Sequence, residues 1–567
     1  MKKNITTIPK KKNANYLMFV VLFTMSGIVY TQDIHKEVPD DSYIPVDRES
    51  MEKGSAYSVR GGDFFTSQVN VDGNGLDILG DAANEPSIAV DPTNPDRIVI
   101  GWRQFDTVNS NFRQAGYGYS TDGGLTWTFP GSIDPGQFHS DPVLDFDANG
   151  NFYYNSLTGN NFACEVYRIT DGGVVWQGPA AAFGGDKQWM RIDRTNGIGA
   201  GNNYSNWNLS FSVCSPGDFT RSTDGALNFE DCEPVSGAPR WGTLAVDADG
   251  ALYIVGTSAS GLILIKSTTA QDPNFPVTFD FISPVDLDGQ LSIGGYVNPQ
   301  GLLGQLWVDV DISGGPGHGN VYVLASVDRD SNNDPGDVMF AKSTDGGLTF
   351  SPPVKINTDT GTENYQWFGT MSVAPNGRID VVWLDTRLAP AGTNDSALYF
   401  SFSEDQGETW SDNQIISMGF DPNIGYPQQN KMGDYFDMVS DNEGAHLAWA
   451  NTINGGQDVY YTHIPPLEDI LGINEISESN FKILNYPNPF SDETTIEFFI
   501  KNEEHVKIEV FDLQGKNLGT LLDKKVYGNY RLTWDGRNSG GQKLSTGLYF
   551  ISIQAGSNTS VLKVVLK

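Results

Sequence analysis

The chain has 567 residues, more than one compact domain usually needs, which indicates either several units or one repeat architecture. It carries 36 Lys and Arg against 70 Asp and Glu, a net charge of −34. Because this negative surplus repels polyphosphate and anionic lipid, we expect neither a nucleic-acid partner nor binding to acidic membranes. With 39% hydrophobic and 12% aromatic residues and 63 glycines, the composition predicts a folded, all-β protein.

Residues 1–31 are predicted to be a signal peptide. Lysines between Lys2 and Lys12 precede an apolar stretch at 16–30, which is too short to span a bilayer comfortably. Cleavage is expected before Gln32, with an uncleaved N-terminal anchor as the alternative. No other segment approaches about 20 consecutive apolar residues, so the mature chain is expected to have no transmembrane segment.

A strand–turn–strand unit recurs along residues 80–465. Each copy is an apolar strand, a turn and a second apolar strand, as in EPSIAVDPTNPDRIVIGW from Glu85 and RWGTLAVDADGALYIVGT from Arg240. Self-similarity of this kind is the signature of a repeat fold. The seven turn positions are Asp91, Asp147, Asp193, Asp247, Asp311, Ala374 and Asp441.

A third strand followed by a tight turn accompanies most copies. The turn sequences are STDGGLTW from Ser120, STDGALNF from Ser222, STDGGLTF from Ser343, SEDQGETW from Ser403 and the degenerate ITDGGVVW from Ile169. Because an Asp side chain accepts backbone N–H bonds of its own turn and Gly tolerates positive φ, these turns are predicted to be structural. Their aspartates are Asp122, Asp171, Asp224, Asp345 and Asp405.

The turn pattern S-x-D-x-G-x-T-W resembles the Asp-box, or bacterial neuraminidase repeat, of sialidase-type β-propellers. In that family it joins the third and fourth strands of a blade. The resemblance implies that each module is a four-stranded blade. The seven copies of the strand–turn–strand unit then predict a seven-bladed propeller at 80–465, one blade more than sialidases have, with six blades and a stray hairpin as the alternative. Residues 32–79 would form a lead whose strand near 64–71 completes the last blade and closes the ring.

After a predicted linker at 466–480, short alternating strands at 481–567 predict a small Ig-like β-sandwich. The YPNPF segment from Tyr486, WDG at Trp534 and GLYFISI from Gly547 closely resemble the type A C-terminal sorting domain of the Bacteroidetes type IX secretion system. The resemblance implies that the type IX machinery is a partner and that the protein is secreted or held on the outer cell surface. An ordinary Ig-like or carbohydrate-binding module is the alternative.

Ligands of propellers collect where the inner strands converge, so the starts of first strands and the ends of second strands are candidate site positions. First-strand starts carry Glu85, His139, Asp141, Lys187, Arg240, Trp367, Asp434 and Tyr435. Second-strand ends carry Arg103, Asp385 and Arg387.

The sialidase resemblance implies a role for several of these residues. Arg103, Arg240 and Arg387 would clamp a sugar carboxylate, while His139 and Trp367 would line the substrate. Tyr435 would be the nucleophile, Glu85 its activating base and Asp141 the acid/base. The alternative is structural: Arg387 would pair with Asp385, and Arg240 would pack on Trp241. The F/Y-R-I-P segment that carries the first sialidase arginine is absent from this sequence.

The resemblance therefore implies hydrolysis of terminal acidic sugars from glycans, as in an exo-α-sialidase, with no required cofactor. Two alternatives stay open. One is a polysaccharide lyase acting on uronates, with His139 or a tyrosine as base. The other is a noncatalytic propeller that binds glycan or protein.

Two further features bear on metals and disulfides. Cys214 and Cys232 flank one hairpin and could pair, but no zinc site is assigned because the cysteines lack His neighbours at metal-ligand spacing. An oxygen-rich loop could hold structural Ca²⁺, although it lacks the Gly and Glu of an EF-hand, and an unliganded acidic loop is the alternative. Its candidate ligands are Asp328, Asp330, Asn332 and Asp334.

Overall fold

The computed structural model describes residues 40–61, 64–159, 161–170, 172, 174–466, 483–486, 488, 490–512, 515–556 and 558–567. All of them belong to one compact unit, Val38–Lys567. The predicted signal peptide and nearly all of the predicted linker lie outside the described residues, as does Asp171.

The all-β prediction is confirmed. A lead segment contains a short 3₁₀ helix, Arg48–Ser50, and four strands. These strands are β1 (Lys53–Ser55), β2 (Ser58–Gly61), β3 (Phe64–Gln68) and β4 (Leu76–Ile78). Strands β1 and β4 pair with each other, whereas β2 and β3 belong to a larger sheet described below.

Seven antiparallel sheets follow one another in the described part of the propeller region, and we number them in chain order. Sheet 1 contains β5 (Ala82–Val90), β6 (Ile98–Phe105), β7 (Gln114–Ser120) and β8 (Thr128–Ser132). Sheet 2 contains β9 (His139–Phe146), β10 (Phe152–Thr158), β11 (Ala163–Ile169) and β12 (Gln177–Ala181). Sheet 3 contains β13 (Trp189–Ile192), β14 (Asn203–Asn206) and β15 (Phe219–Ser222). Sheet 4 contains β16 (Leu244–Val246), β17 (Leu252–Ser258), β18 (Gly261–Ser267) and β19 (Phe281–Pro284).

The remaining sheets show one interruption and one closure. Sheet 5 contains β20 (Gly289–Leu291), β21 (Trp307–Val310), β22 (Val321–Arg329), β23 (Asp337–Ser343) and β24 (Val354–Lys355). Strands β20 and β21 both pair with β22, so residues 292–306 interrupt its first-strand position. Sheet 6 contains β25 (Gln366–Val373), β26 (Ile379–Asp385), β27 (Ala397–Ser403) and β28 (Gln414–Ile415). Sheet 7 contains β29 (Asp437–Ser440), β30 (Ala445–Asn451) and β31 (Asp458–Ile464), followed by β3 and β2.

The sheets form a ring. The innermost strand of each sheet contacts that of the next sheet, and β29 of sheet 7 contacts β5 of sheet 1. Within sheet 7, β3 from the lead pairs with β31 over Phe65–His463 to Gln68–Tyr460. The two ends of the propeller region are therefore joined by one hydrogen-bonded sheet, an arrangement that protects strand edges.

Polar side chains on the innermost strands bond to the backbone of the next sheet. In each case a side chain of one sheet meets a main-chain N–H or C=O of its neighbour at 2.7–3.1 Å. The bonds join Ser87 to Leu144, Asp145 to Ile192, Arg191 to Leu244, Thr243 to Val308, Asp309 to Val373, Ser372 to Ser440, and Asp437 to Ile88. We call this set the inter-sheet ring.

The Asp-box turns share one hydrogen-bond pattern. Asp122 Oδ1 accepts from the Thr126 N–H at 2.9 Å, and Asp122 Oδ2 accepts from the Thr126 hydroxyl at 2.7 Å. Asp345 and Asp405 repeat this geometry with Thr349 and Thr409, and Asp224 repeats it with Asn228. Each turn links a third strand to the segment that follows it. Both carboxylate oxygens of its aspartate accept hydrogen bonds within the turn.

The C-terminal region forms a separate sheet system with its own core. Its strands are β32 (Ile483–Tyr486), β33 (Thr494–Phe511), β34 (Asn517–Trp534), β35 (Gly547–Ala555) and β36 (Asn558–Leu566). Strand β33 pairs with β34 along its length, with β32 near its start and with β35 near its end. A register shift between Ile500 and Glu504 separates these two halves, and their apolar faces enclose Phe498, Trp534 and Ile551.

Sheet 3 has three regular strands, and a disulfide supports its outer side. Cys214 and Cys232 are bonded with Cα atoms 6.3 Å apart, across a separation of 18 residues. A single bridge between Phe219 and Glu233 stands where a fourth strand would pair. The disulfide therefore holds in place a segment that has few ladder hydrogen bonds.

We expect Cys232→Ser to lower the free energy of unfolding by about 3 kcal/mol, because it frees a loop of this length in the unfolded chain. Chemical denaturation monitored by tryptophan fluorescence measures the change. Cys164, the buried free cysteine, supplies the control: Cys164→Ala should cost less than Cys232→Ser. Equal stability of Cys232→Ser and the unsubstituted chain would contradict a supporting role for the disulfide.

Candidate functional site

The innermost strands begin with a repeated backbone distortion. Glu85, Asp141, Lys187, Trp241 and Phe368 occupy equivalent positions and all have φ between 48° and 59°. The strand pairing shifts register beside three of them, in sheets 1, 2 and 6. Such bulges re-aim side chains and are frequent next to functional sites.

Six charged side chains meet at this position, and we call them the central cluster: Glu85, Arg103, Asp141, Lys187, Lys431 and Asp434. Lys187 Nζ lies 2.6 Å from Asp434 Oδ2, 3.0 Å from Asp141 Oδ2 and 3.9 Å from Glu85 Oε1. Lys431 Nζ lies 2.8 Å from Asp434 Oδ2, and Arg103 Nε lies 3.0 Å from Glu85 Oε2. The cluster thus brings together three cationic and three carboxyl side chains, none of them more than 5% exposed.

Burial and the neighbouring charges shift the pKa values of the cluster in different directions. Burial raises the pKa of Glu85 to about 8, although Arg103 and Lys187 oppose the shift. Burial alone would also raise the pKa of Asp141, but Lys187 and Arg103 hold it well below its usual range. Burial would lower the pKa of Lys187, whereas the carboxylates around it raise it well above its usual value. Lys187 therefore keeps its charge, and Glu85 is largely protonated at neutral pH.

Tyr435 lies beside the central cluster but is committed to the backbone. Its hydroxyl donates a hydrogen bond to the Pro142 carbonyl at 2.6 Å, and its ring packs edge-on against Trp189. Only 1% of the residue is exposed. Burial, and then the carboxyl groups of Glu85 and Asp141, raise its pKa well above the ordinary value. In this arrangement the phenol has neither the access nor the acidity of a nucleophile.

The other two predicted arginines lie apart from the central cluster. Arg387 Nη2 pairs with Asp385 Oδ2 at 2.6 Å, and its guanidinium lies 4.5 Å from the centre of the Tyr399 ring. Arg240 lies 4.7 Å from the centre of the Trp241 ring. Both therefore adopt the structural arrangement that the sequence offered as the alternative to a carboxylate clamp.

The predicted substrate-lining residues are buried and bonded within the protein. Trp367 is fully buried and its indole donates to the Ser396 hydroxyl at 3.1 Å. His139 Nδ1 lies 3.1 Å from the Ser156 hydroxyl, and burial lowers the His139 pKa to about 4. Neither side chain faces an open site.

The insertion in sheet 5 explains why the central cluster is buried. Residues 292–304, which we call the covering segment, bond to the chain that carries Lys431 and Asp434. Leu302 N donates to Asp434 Oδ1 at 2.8 Å, and Asn298 Nδ2 donates to the Gly433 carbonyl at 2.8 Å. Met432 N in turn donates to Asn298 Oδ1 at 2.8 Å. The covering segment thereby satisfies buried polar groups that would otherwise face the mouth of the ring.

The predicted calcium loop is organised around an arginine. Asp328 and Asp330 are exposed, whereas Arg329 between them pairs with Asp288 and, at 2.7 Å, with Asp337. Asn332 Oδ1 accepts from the Asp334 N–H at 3.1 Å. This arrangement already supplies a positive charge to the loop, so Ca²⁺ binding stays a prediction with no geometric support of its own.

Three members of the central cluster have a role in the structure that their sequence positions alone do not indicate. Lys187 and Asp434 are predicted only as strand-start positions, and Lys431 is not among the predicted site residues. Lys431 and Asp434 are three residues apart in KMGDY, in a chain with 36 basic residues. A lysine so close to an aspartate at a predicted strand start was a usable signal.

Comparison with known proteins identifies the C-terminal region. Residues 485–567 match the protein family described as the secretion system C-terminal sorting domain. The resemblance of this region to a type IX sorting domain is therefore confirmed, and the protein is exported to the cell surface or beyond. No curated protein matches the sequence. Among the described residues, no helix is both long and apolar enough to cross a membrane.

Several solved structures are similar to this chain at low sequence identity. A protein of unknown function from Dyadobacter fermentans is 14% identical, with a TM-score of 0.41, over 72% of this chain and 99% of its own. The Porphyromonas gingivalis protein PorZ, described as a surface component of the type IX secretion system, is 12% identical, with a TM-score of 0.29, over 91% of this chain and 74% of its own. Trypanosoma rangeli sialidase is 10% identical, with a TM-score of 0.34, over 88% of this chain and 89% of its own. These TM-scores are below 0.5 and carry no argument about activity.

Removing residues 481–567 should retain the chain in the periplasm, because the sorting domain is lost. Fractionation of cells that contain a type IX secretion system measures the distribution, with the full chain in the same cells as control. Appearance of the truncated chain in the medium without cell lysis would contradict the assignment.

Lys187→Met should lower the free energy of unfolding by about 3–5 kcal/mol, because it leaves buried carboxylates without their shared cation. Lys342 is a matched control, since it pairs with Glu408, whose side chain is 69% exposed. Lys342→Met should cost about 1 kcal/mol or less. Denaturant titration of both variants checks the difference, and similar stabilities would show that the central cluster is not held by Lys187.

Proposed function

We propose that this protein is an exported propeller that binds glycans without hydrolysing them. One observation carries the proposal: the groups expected to perform the chemistry are bonded to one another and to the backbone inside the ring. Lys187 bridges Asp141 and Asp434, Arg103 faces Glu85, and the Tyr435 hydroxyl bonds to a carbonyl. A substrate would have to break these buried contacts before it could meet a reacting group.

The arginine arrangement favours a neutral sugar over an acidic one. A sugar carboxylate needs guanidinium groups whose donors are available for bidentate bonding. Arg103 Nε donates to Asn84 at 2.9 Å and lies 3.0 Å from Glu85 Oε2, Arg387 is held by Asp385, and Arg240 packs on an indole ring. An acidic sugar would also approach a protein with a net charge of −34.

The outer side of the covering segment offers the chemistry of a sugar platform. Tyr296 is 75% exposed, and Asn394 Nδ2 donates to its carbonyl at 3.1 Å. Gln300 and Asn430 bond to each other through two hydrogen bonds, at 2.9 and 3.0 Å. An exposed aromatic ring stacks on the apolar face of a sugar, and amide groups beside it bond to hydroxyls. The bond from Asn394 holds the backbone that carries the Tyr296 ring, which limits the backbone entropy lost on binding.

Sialidase-like hydrolysis is the second candidate, and one observation favours it. Glu85, Arg103 and Asp141 do converge beside Tyr435, as the resemblance implies. Hydrolysis would require the covering segment to withdraw and Tyr435 to release the Pro142 carbonyl. A lyase is less well supported, because its candidate base His139 is buried against Ser156.

For the binding proposal, we expect Tyr296→Ala to weaken glycan binding about tenfold, which corresponds to about 1.4 kcal/mol for one stacking contact. The measurement is a glycan array followed by titration of the best neutral glycan with the purified full chain. Tyr527, also exposed at 61% but in the sorting domain, supplies the control variant Tyr527→Ala. Binding that is unchanged in Tyr296→Ala, or confined to acidic glycans, would reject this surface.

The same preparations test hydrolysis directly. With sialosides and uronate polysaccharides, we expect neither released monosaccharide nor unsaturated product absorbing in the ultraviolet. Tyr435→Phe should therefore leave both readings at the background level. Release of sialic acid that disappears in Tyr435→Phe, with the variant still folded by circular dichroism, would replace the binding proposal by the hydrolase.

A further inference from the structure

Sheet 7 departs from a side-chain pattern that other sheets repeat. In sheets 2, 4 and 5 a tyrosine on the second strand faces a basic residue on the third. The register pairs are Tyr153 with Arg168, Tyr253 with Lys266, and Tyr322 with Lys342. In sheet 7 the equivalent register pair is His446 with His463. Two imidazoles therefore stand where sheets 2, 4 and 5 place a phenol and a cation.

The turn aspartate completes a group of three. In sheets 2 and 4 the tyrosine hydroxyl donates to the turn aspartate, Asp147 at 3.2 Å and Asp247 at 3.1 Å. In sheet 7 His446 Nε2 lies 3.0 Å from Asp441 Oδ2, and the two imidazole rings lie 4.9 Å apart. The ligand atoms of Asp441, His446 and His463 are within 4.8 Å of one another, the one such group of three or more among the described residues.

We propose that Asp441, His446 and His463 bind a zinc ion at the seam of the ring. Two imidazole nitrogens and one carboxylate oxygen are a zinc donor set, whereas calcium and magnesium prefer oxygen alone. Zinc holds such ligands at about 2.0–2.2 Å, so small side-chain rotations bring the three atoms to one tetrahedral centre. The fourth position would take water, reached past Asp441, whose side chain is 27% exposed.

The surrounding contacts orient the ligands as a metal site requires. Asp441 Oδ1 accepts from the backbone of Glu443 and Gly444 at 2.8 and 2.9 Å, which leaves Oδ2 directed at His446. His446 Nδ1 lies 2.7 Å from the Tyr461 hydroxyl, so its other ring nitrogen is directed to Asp441. A ligating histidine characteristically bonds a partner through its second nitrogen.

Two further neighbours, Gly444 and Arg378, are compatible with a bound ion, the first in size and the second in charge. A Cβ atom at Gly444 would lie 3.0 Å from His463 Nε2, so glycine keeps this nitrogen clear. Arg378, which donates to the Asp441 carbonyl at 2.8 Å, is engaged by both oxygens of Asp380. Its charge is therefore offset locally.

The position of the site defines its role. Asp441 lies in the turn between β29 and β30, His446 on β30 and His463 on β31. His463 pairs in register with Phe65 of β3, the strand that the lead contributes to sheet 7. A bound zinc ion would thus fasten the C-terminal strands of sheet 7 where the N-terminal strand joins them. The site is independent of the glycan surface.

Zinc content and binding test the proposal on the purified full chain. We expect about one equivalent of Zn²⁺ per chain after dialysis against zinc-containing buffer, measured by elemental analysis, and no comparable retention of Ca²⁺ or Mg²⁺. His463→Asn should weaken zinc binding at least tenfold. Tyr461→Phe should keep the ion but weaken its binding by about tenfold. Co²⁺ added to the metal-free chain should give the visible absorption of tetrahedral nitrogen and oxygen ligation.

Matched variants keep the test decisive. Asp441→Asn preserves an oxygen for the turn bonds, so it should stay folded while losing zinc, even if His463→Asn unfolds. His505 pairs with Asp523 at 3.0 Å in the sorting domain, and His505→Gln should leave zinc uptake unchanged. The midpoint of thermal unfolding should rise with zinc in the unsubstituted chain but not in Asp441→Asn. No zinc uptake by the unsubstituted chain, or equal uptake by Asp441→Asn, would overturn the site.

Discussion

Each sheet of the ring is tied to the next by a polar side chain that bonds to the backbone of the neighbouring innermost strand. The inter-sheet ring runs through all seven sheets and returns from Asp437 to Ile88. Because these donors and acceptors are buried, each missing bond would cost about 1–3 kcal/mol. A closed ring also fixes the spacing of the innermost strands. The side chains at the starts of these strands must therefore fit an opening whose width is fixed by the ring.

The central cluster is one solution to that constraint. Five strand starts adopt positive φ, and three of them, Glu85, Asp141 and Lys187, place charged side chains in the cluster. Charged groups brought together there need partners, since an isolated buried charge is strongly unfavourable. Lys187 and Lys431 are these partners, and both contact Asp434 Oδ2. The other carboxylate oxygen of Asp434 accepts a hydrogen bond from Leu302 N in the covering segment. The interactions that make this mouth stable are also the ones that take its reactive groups out of reach of a substrate.

The local and periodic parts of this structure can be predicted from the sequence. Strand alternation and turn chemistry predict the repeated units, and a turn such as that of Asp345 is readable because its bonds end four residues away at Thr349. The tail is recognisable for the same reason, as several motifs in fixed order. Pairings between distant segments are not encoded in this way. Nothing near Asp434 in the sequence indicates its bond to Leu302. The pairing of Arg387 with Asp385, two residues before it, is local and is predicted as the structural alternative. The group of Asp441, His446 and His463 escapes for a similar reason, because register across two strands brings its second imidazole to the first.

The negative charge of the chain acquires a different meaning from this geometry. Hydrogen bonds from Thr349, first from its side chain and then from its backbone, lower the pKa of Asp345 to about 2, and the other described Asp-box aspartates are shifted in the same direction. These carboxylates therefore stay ionised well into acid conditions, where ordinary carboxylates would begin to take up protons. A protein that keeps this negative charge repels acidic ligands unless cationic side chains are available at the binding site. In physiological salt, charges interact over a Debye length of roughly 8–10 Å. Here the rim arginines are bound to aspartate, glutamate and aromatic partners. The negative charge on the outside of the ring therefore disfavours an acidic sugar. The ion pairs in its mouth have the same effect, so both favour a neutral sugar.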